Sequence, residues 1–339
     1  MEAVIELKDL TTGYRSGINK KAITSNINTS LLKGELVCLI GPNGAGKSTL
    51  MRTLSGSQKP IKGMVFLEGK NIHDLSPRIL AKKLSLVLTE RVSAGMLTAY
   101  EIVALGRFPY TNWSGKLKET DHRIIHEAIE MVGAQELAKR PLSELSDGER
   151  QKIMVARAFA QEPEVMILDE VTAFLDLPRR VEIMRLLRKM ARESSKSILL
   201  STHDMDLALR GADKIWLLPK GGDLQVGAPE DLVLDGSFQK AFNAEGIQFD
   251  KHSGSFQIHT NYHAKVDLQV NNDLAIWTKR ALERNGIKID NRADTKIIVQ
   301  SIGEKNQWTV IQNKSEKKAN SIHGLIIAIN EILLNKIDV

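Results

Sequence analysis

The chain has 339 residues, 42% of them hydrophobic and 26% charged, a globular composition with length enough for two domains. A net charge of +6 comes in no block of like charges and reads as solvated surface, while a single cysteine, Cys38, excludes an internal disulfide framework and fits a reducing compartment. No apolar run approaches the ~20 residues of a membrane span, and the acidic start MEAVIELKDL does not read as a secretory signal.

The first stretch with chemistry is LVCLIGPNGAGKSTLMRTLS, residues 36–55. A buried strand, Leu36–Ile40, runs into Gly41-Pro42-Asn43-Gly44-Ala45-Gly46-Lys47-Ser48-Thr49 and then a helical pattern. This is the Gly-x-x-x-x-Gly-Lys-Ser phosphate loop in its strand–loop–helix setting. Its glycines let successive backbone N–H groups face one point, and the helix start adds the positive end of its dipole. Lys47 there neutralises terminal phosphate oxygens, and the Ser48 hydroxyl is a hard-oxygen ligand for Mg²⁺. The run Leu86-Val87-Leu88 predicts another buried strand, with Glu90 just past its end, where ligands gather in open α/β sheets. Residues 98–115, TAYEIVALGRFPYTNWSG, set Tyr110 and Trp113 in a polar loop, a composition suited to a partner surface.

Residues 143–160, SELSDGERQKIMVARAFA, open a long amphipathic helix with Ile153, Ala156, Arg157 and Ala160 at helical spacing. Ser146 and the Gly148 N–H at its start form a second anion site. Two phosphate sites with one nucleotide loop imply a dimer in which each subunit's helix caps the ATP of the other. The apolar strand Val165–Leu168 ends in Asp169-Glu170, and strand alternation turns these carboxylates apart. One holds Mg²⁺ while the other polarises a water for attack on the γ-phosphate. A third strand, Ser197–Ser201, delivers His203 toward the same phosphate and water.

Beyond residue 259 the chain reads as a small α+β unit. Its strands are expected at Lys265–Val270, Lys288–Asp290, Thr295–Ser301 and Trp308–Gln312. Helices are expected at Asp273–Asn285, with Leu274, Trp277, Ala281 and Leu282 on one face, and at Ile322–Leu334. His252, His259, His263 and His323 lie in or near this unit at spacings that match no standard metal site.

GPNGAGKST, LSDGE, ILDE, AFLD at 173–176 and STHD at 201–204 occur in one order, and over about residues 3–259 the chain resembles the ATP-binding cassette (ABC) ATPases. The resemblance implies an α/β P-loop cassette, a RecA-like core with antiparallel β and helical subdomains, over 1–259 (helical subdomain about 91–162). Beyond the resemblance, 260–339 reads as a small C-terminal α+β domain of unknown role, either regulatory or dimer-stabilising or a neutral extension. The resemblance implies that Tyr14 stacks on adenine, that Lys47, Ser48 and Asp169 bind nucleotide and Mg²⁺, and that Glu170 is the general base with His203 as the switch histidine. Ser146, Asp147, Gly148 and Glu149 form the signature that acts across the dimer, and Asp176 shapes the dimer face near the water. Three positions depart from the usual pattern: Glu90 replaces a glutamine that reaches the Mg²⁺, Asp147 a frequent glycine, and Val171 a common proline.

Within that family, Leu105-Gly106-Arg107-Phe108-Pro109 followed by Tyr110 and Trp113 resembles the cassettes of importers for iron(III)-siderophores, haem and vitamin B12. The implied partners are a second copy, a multi-span permease and, indirectly, a periplasmic or surface substrate-binding protein, with the chain on the cytoplasmic face of the membrane. A soluble ABC ATPase acting on nucleic acid or ribosomes is the alternative. Those usually carry tandem cassettes or a coiled-coil insertion, which this sequence lacks, so no nucleic acid is expected.

Overall fold

The computed structural model describes residues 2–16, 19–88, 96–173, 175–242, 247–250, 255–258, 261–270, 273–302, 305–312 and 315–334. Two compact units emerge: Met1–Asn243 with Phe249–Phe256, and Ala244–Gln248 with Gln257–Val339.

The first unit begins with β1 (Ala3–Ser16), β2 (Asn19–Leu32), β3 (Leu36–Ile40), α1 (Lys47–Leu54), β4 (Lys62–Leu67), β5 (Lys70–Asn71), α2 (Pro77–Lys83) and β6 (Leu84–Val87). The helices α3 (Ala99–Ala104), α4 (Glu119–Met131) and α5 (Asp147–Ala160) follow. The chain then runs through β7 (Val165–Asp169), α6 (Leu177–Glu193), β8 (Ser197–Ser201), α7 (Met205–Gly211), β9 (Lys214–Leu217), β10 (Gln225–Gly227), α8 (Pro229–Leu234) and α9 (Ser237–Ala241). The hairpin-like stretch at 248–259 contributes β11 (Ile247–Asp250) and β12 (Ser255–Ile258), which pair with each other.

Strands β2-β1-β4-β5 form an antiparallel sheet, and β10-β9-β3-β8-β7-β6 a second sheet that is parallel apart from β10. The parallel strands are largely apolar, β3 throughout, because both faces are covered. Side chains alternate between faces, so Leu36, Cys38 and Ile40 of β3 enter the core shared with α5 and α6. Val37 and Leu39 enter the core shared with β1, β4 and α1. Cys38 is fully buried, and burial pushes its thiol far above the usual range, so it is an inert packing group. Parallel pairing also aligns the C-terminal ends of β3, β8, β7 and β6 along one edge, where the phosphate loop begins.

The second unit contains β13 (Ala264–Gln269), α10 (Asp273–Arg284), β14 (Ile287–Ile289), β15 (Lys296–Ile302), β16 (Lys305–Gln312), β17 (Ser315–Ala319) and α11 (Ile322–Leu334). Its sheet order is β14-β13-β15-β16-β17, with Val266, Ile297, Trp308 and Val310 in a core shared with Leu282, Leu325 and Ile329. The expected apolar face of α10 is rotated. Trp277 is 59% exposed and lies beside Arg280, whereas Thr278 is buried and its hydroxyl accepts the Trp308 indole N–H at 3.0 Å. Positions 274, 278, 281 and 282 make one helical stripe; 277 falls off its edge. Among the described residues no helix is long and apolar enough to cross a membrane.

Candidate nucleotide site

Between β3 and α1 the loop turns at Gly46, the residue before the helix, with φ of 109°. A Cβ there would lie 2.5 Å from Ile23 Cγ2, so both backbone and space require glycine. Lys47 is buried, and its ammonium donates to the loop's own carbonyls, Gly41 O at 2.7 Å and Pro42 O at 3.4 Å. Burial pushes its pKa down, while Glu170 and then Asp169 push it back up. Ser48 is exposed at the first turn of α1. Tyr14, on β1, is 48% exposed and its hydroxyl lies 2.9 Å from Thr49 Oγ1, which brings a free aromatic face beside the loop.

Asp169 closes β7 opposite Ser201 of β8. Burial drives its carboxyl above the ordinary range, a hydrogen bond from Ser201 opposes this, and Glu170 raises it further. Glu170 is not redirected by strand alternation. It leaves the strand in a left-handed turn, φ 51°, with its N–H on Ser201 O at 3.0 Å and its carbonyl accepting Ala173 N–H at 2.8 Å. That turn puts Glu170 Oε1 2.7 Å from His203 Nε2. The two expected catalytic side chains therefore meet. Glu90 lies outside the described residues.

At the second anion site the expectation needs correcting. Ser146 caps α5, but its hydroxyl is not free: it donates to Glu149 Oε2 at 2.7 Å and accepts from Arg179 Nη1 at 2.9 Å. Glu149 also accepts the Ser146 N–H at 2.8 Å, completing a capping box. Asp147 lies 3.7 Å from Arg150. Asp176 caps α6 through the Arg179 N–H at 3.2 Å. The next residue, Arg180, donates to Leu175 O at 2.7 Å and Asp204 Oδ2 at 3.3 Å, tying this turn to the segment after His203. Sequence reading missed Arg179 and Arg180; their only signal is their place three and four residues after Asp176.

The aromatic loop also divides differently. Tyr110 packs on its own unit, its hydroxyl donating to Gln161 O at 3.1 Å and its ring lying between Arg107 and Lys82. Phe108 and Trp113 are the outward groups, 74% and 97% exposed.

Among the described residues no group of three or more His, Cys, Asp or Glu is arranged to hold a metal ion. The donor set at the loop, a Ser48 hydroxyl and an Asp169 carboxylate destabilised by burial, fits a hard cation completed by phosphate oxygens and water, the habit of Mg²⁺ rather than of Zn²⁺.

The ABC transporter family profile matches residues 24–173, and the iron ABC transporter C-terminal domain profile matches residues 263–330. The uncharacterised ABC transporter ATP-binding protein MJ0873 of Methanocaldococcus jannaschii is 43% identical over 258 residues, 76% of this chain and 88% of its own. The achromobactin transport ATP-binding protein of Dickeya dadantii is 36% identical (71% and 88% covered). The iron(3+)-hydroxamate import ATP-binding protein of Bacillus subtilis is also 36% identical (68% and 85% covered). Among solved structures, CbiO1 of Clostridium perfringens, part of an ABC transporter complex, aligns with a TM-score of 0.61 at 27% identity (71% and 94% covered). The dimeric cassette MJ0796 bound to ADP and Pi aligns at 0.58 and 29% (66% and 98% covered). With its phosphate loop, strand-end carboxylates and signature helix in place, the chain belongs to the ATP-binding proteins of the ABC transporter family and is an ATPase.

Proposed function

We propose that the chain powers uptake of an iron(III)-siderophore-type chelate through a membrane permease, as one of two identical cassettes that close on ATP. The observation that carries the cargo class is the match of residues 263–330 to the iron ABC transporter C-terminal domain. The names of the achromobactin and iron(3+)-hydroxamate relatives support it. The dimeric neighbour bound to ADP and Pi supports the sandwich.

In this reading ATP lies along the loop from Gly41 to Thr49 with its adenine on Tyr14. Lys47 exchanges its bonds to Gly41 O and Pro42 O for terminal phosphate oxygens. Ser48 and Asp169, with Glu90, would hold Mg²⁺, which would neutralise phosphate charge. Glu170 takes a proton from the attacking water, and His203, 2.7 Å away, fixes the carboxylate and reports on the γ-phosphate. Asp176 and the partner's signature helix close the site. Phe108 and Trp113 face the permease, which fixes the chain to the cytoplasmic side of the membrane and receives cargo from a periplasmic or surface binding protein.

The test is uptake of ⁵⁵Fe-labelled hydroxamate or catecholate chelates into proteoliposomes holding the chain, its permease and ATP. Glu170→Gln is expected to bind ATP and cut phosphate release at least ~10²-fold, the low end of general-base catalysis. Near-parental hydrolysis by that variant removes Glu170 as the base. ATP-driven uptake of an unrelated cargo with no response to iron chelates removes the cargo reading.

A further inference from the structure

The first turn of α6 carries Arg179 across to the start of α5. Its Nη1 donates to Ser146 Oγ at 2.9 Å, and a Cβ on Gly148 would fall 2.6 Å from Arg179 Cδ and Nη1. The guanidinium thus lies directly over the signature, and a side chain at 148 would displace it from this position. Its Nε is 3.8 Å from Asp176 Oδ1, so the same side chain touches the residue that caps α6.

Chemistry fixes the protons at Ser146. Hydrogen bonds from the Ser146 hydroxyl and N–H, with Arg140 and Arg179 nearby, hold the Glu149 carboxyl below its usual range, so it only accepts. Arginine only donates. The single proton of Ser146 Oγ therefore points to Glu149, 2.7 Å away, and its two lone pairs accept from Arg179 Nη1 at 2.9 Å and from the Glu149 N–H at 3.4 Å. An anion arriving at this helix start meets backbone N–H groups and the remaining donors of Arg179, and no hydroxyl proton of Ser146.

Charge points the same way. Asp147, Glu149 and Asp176 surround the mouth, and each has an arginine near it: Arg150 at 3.7 Å, Arg140 at 3.9 Å and Arg179 at 3.8 Å. Of the three, Arg179 is the one set over Gly148.

We propose that Arg179 is a further phosphate ligand acting in trans. In the ATP-closed dimer its guanidinium bonds the terminal phosphate of the nucleotide held by the partner and offsets the carboxylate that Asp147 brings to the signature. The proposal rests on the sandwich reading above and names a residue that reading did not include.

The experiment uses the full chain in a Glu170→Gln background and measures the ATP-driven monomer–dimer equilibrium by analytical ultracentrifugation. Arg179→Ala is expected to weaken the dimer about 10- to 100-fold, the worth of one hydrogen bond to a charged group. Arg179→Lys should restore a good part, and adding Asp147→Gly to Arg179→Ala should recover another part. ATP affinity of the dilute monomer, read with a fluorescent ATP analogue, should stay at the parental value because the loop in cis is untouched. A dimer as tight as or tighter than the parent in Arg179→Ala overturns the proposal, since the side chain would then be a bystander or a plug. Lost monomer affinity for ATP also overturns it, by showing that Arg179 acts through the fold. If the Glu170→Gln parent stays monomeric with ATP, the sandwich falls, and the role of Arg179 with it.

Discussion

Arg107→Ala is expected to destabilise the cassette by about 3–5 kcal/mol, the cost of breaking a buried ion pair. The structure says why the value belongs at that level. Arg107 is buried and donates three hydrogen bonds: Nε to Asp121 Oδ1 at 2.9 Å, and Nη1 to Ala160 O at 2.8 Å and Glu162 Oε2 at 2.7 Å. Its plane also lies 4.0 Å from the Tyr110 ring centre. Removing it strands the carboxylate of Asp121, which is buried and is left with the Lys118 N–H at 2.9 Å. Differential scanning calorimetry should show the cassette transition falling by roughly 6–20 °C, at 2–4 °C per kcal/mol for a unit of this size. The pH dependence carries a sign. Burial pushes the Asp121 carboxyl up, but the Lys118 N–H and Arg107 outweigh it and hold it low. Its stabilisation is therefore present above the ordinary carboxylate range and is lost as pH falls through the lowered value. In Arg107→Ala the stranded carboxyl is relieved by protonation, so the deficit relative to the parent should shrink as pH falls through the carboxylate range. The paired change Arg107→Met with Asp121→Leu should lose less than Arg107→Ala alone, because no buried charge is left behind. A shift under 3 °C, or a double variant worse than the single one, would refute the reasoning.

Two further outcomes follow from the site. Glu90→Gln should raise the Mg²⁺ concentration for half-maximal ATPase and relax the rejection of metal-free ATP, since a charge at ~4 Å is worth roughly 4 kcal/mol toward either the ion or the phosphate. Superimposable Mg²⁺ titrations would end the metal-ligand role of Glu90. Phe108→Ser with Trp113→Ser should leave the thermal midpoint within about 1–2 °C, as expected for exposed groups, yet cut permease-coupled uptake at least about tenfold, the size of an interface hot spot; unchanged uptake would place the permease contact elsewhere.

Much of the cassette was legible because its signals are local. The runs at 36–40, 165–169 and 197–201 are apolar enough to be doubly covered strands, and they became β3, β7 and β8. The loop between β3 and α1 announces itself by glycine spacing. What escaped depends on contacts between distant segments. The Glu170 turn is held by Ser201 O, and nothing in ILDE encodes a left-handed residue. The Ser146 hydroxyl looked available because Arg179 approaches from 33 positions away. Tyr110 looked like a surface aromatic until Arg107 and Lys82 closed on its ring. Strand β17, SEKKA, has no apolar run; it is a charged edge strand, the kind that resists stray pairing, and only its pairing with β16 makes it a strand.

The two ends of α5 connect the loop at 105–113 to the nucleotide. At its C-terminal end a Cβ on Gly106 would fall 2.3 Å from Arg157 O, and Arg107 bonds Ala160 O at 2.8 Å. The loop is seated on the helix with no slack and tied to its last carbonyl, so a displacement of the loop cannot be absorbed between them. At the other end stand Ser146, Gly148 and the overlying Arg179. Fourteen residues at ~1.5 Å each give a rod of about 21 Å, hydrogen-bonded throughout. Such an element transmits a shift along its axis better than it bends. The exposed Phe108 and Trp113, proposed above to face the permease, therefore lie at one end of a stiff element and the signature turn at the other. On the proposed closure, motion at the exposed end would change where Gly148 and Arg179 present their donors, and a phosphate held by those donors would resist motion of the loop with the same free energy, as linkage between two sites on one body requires.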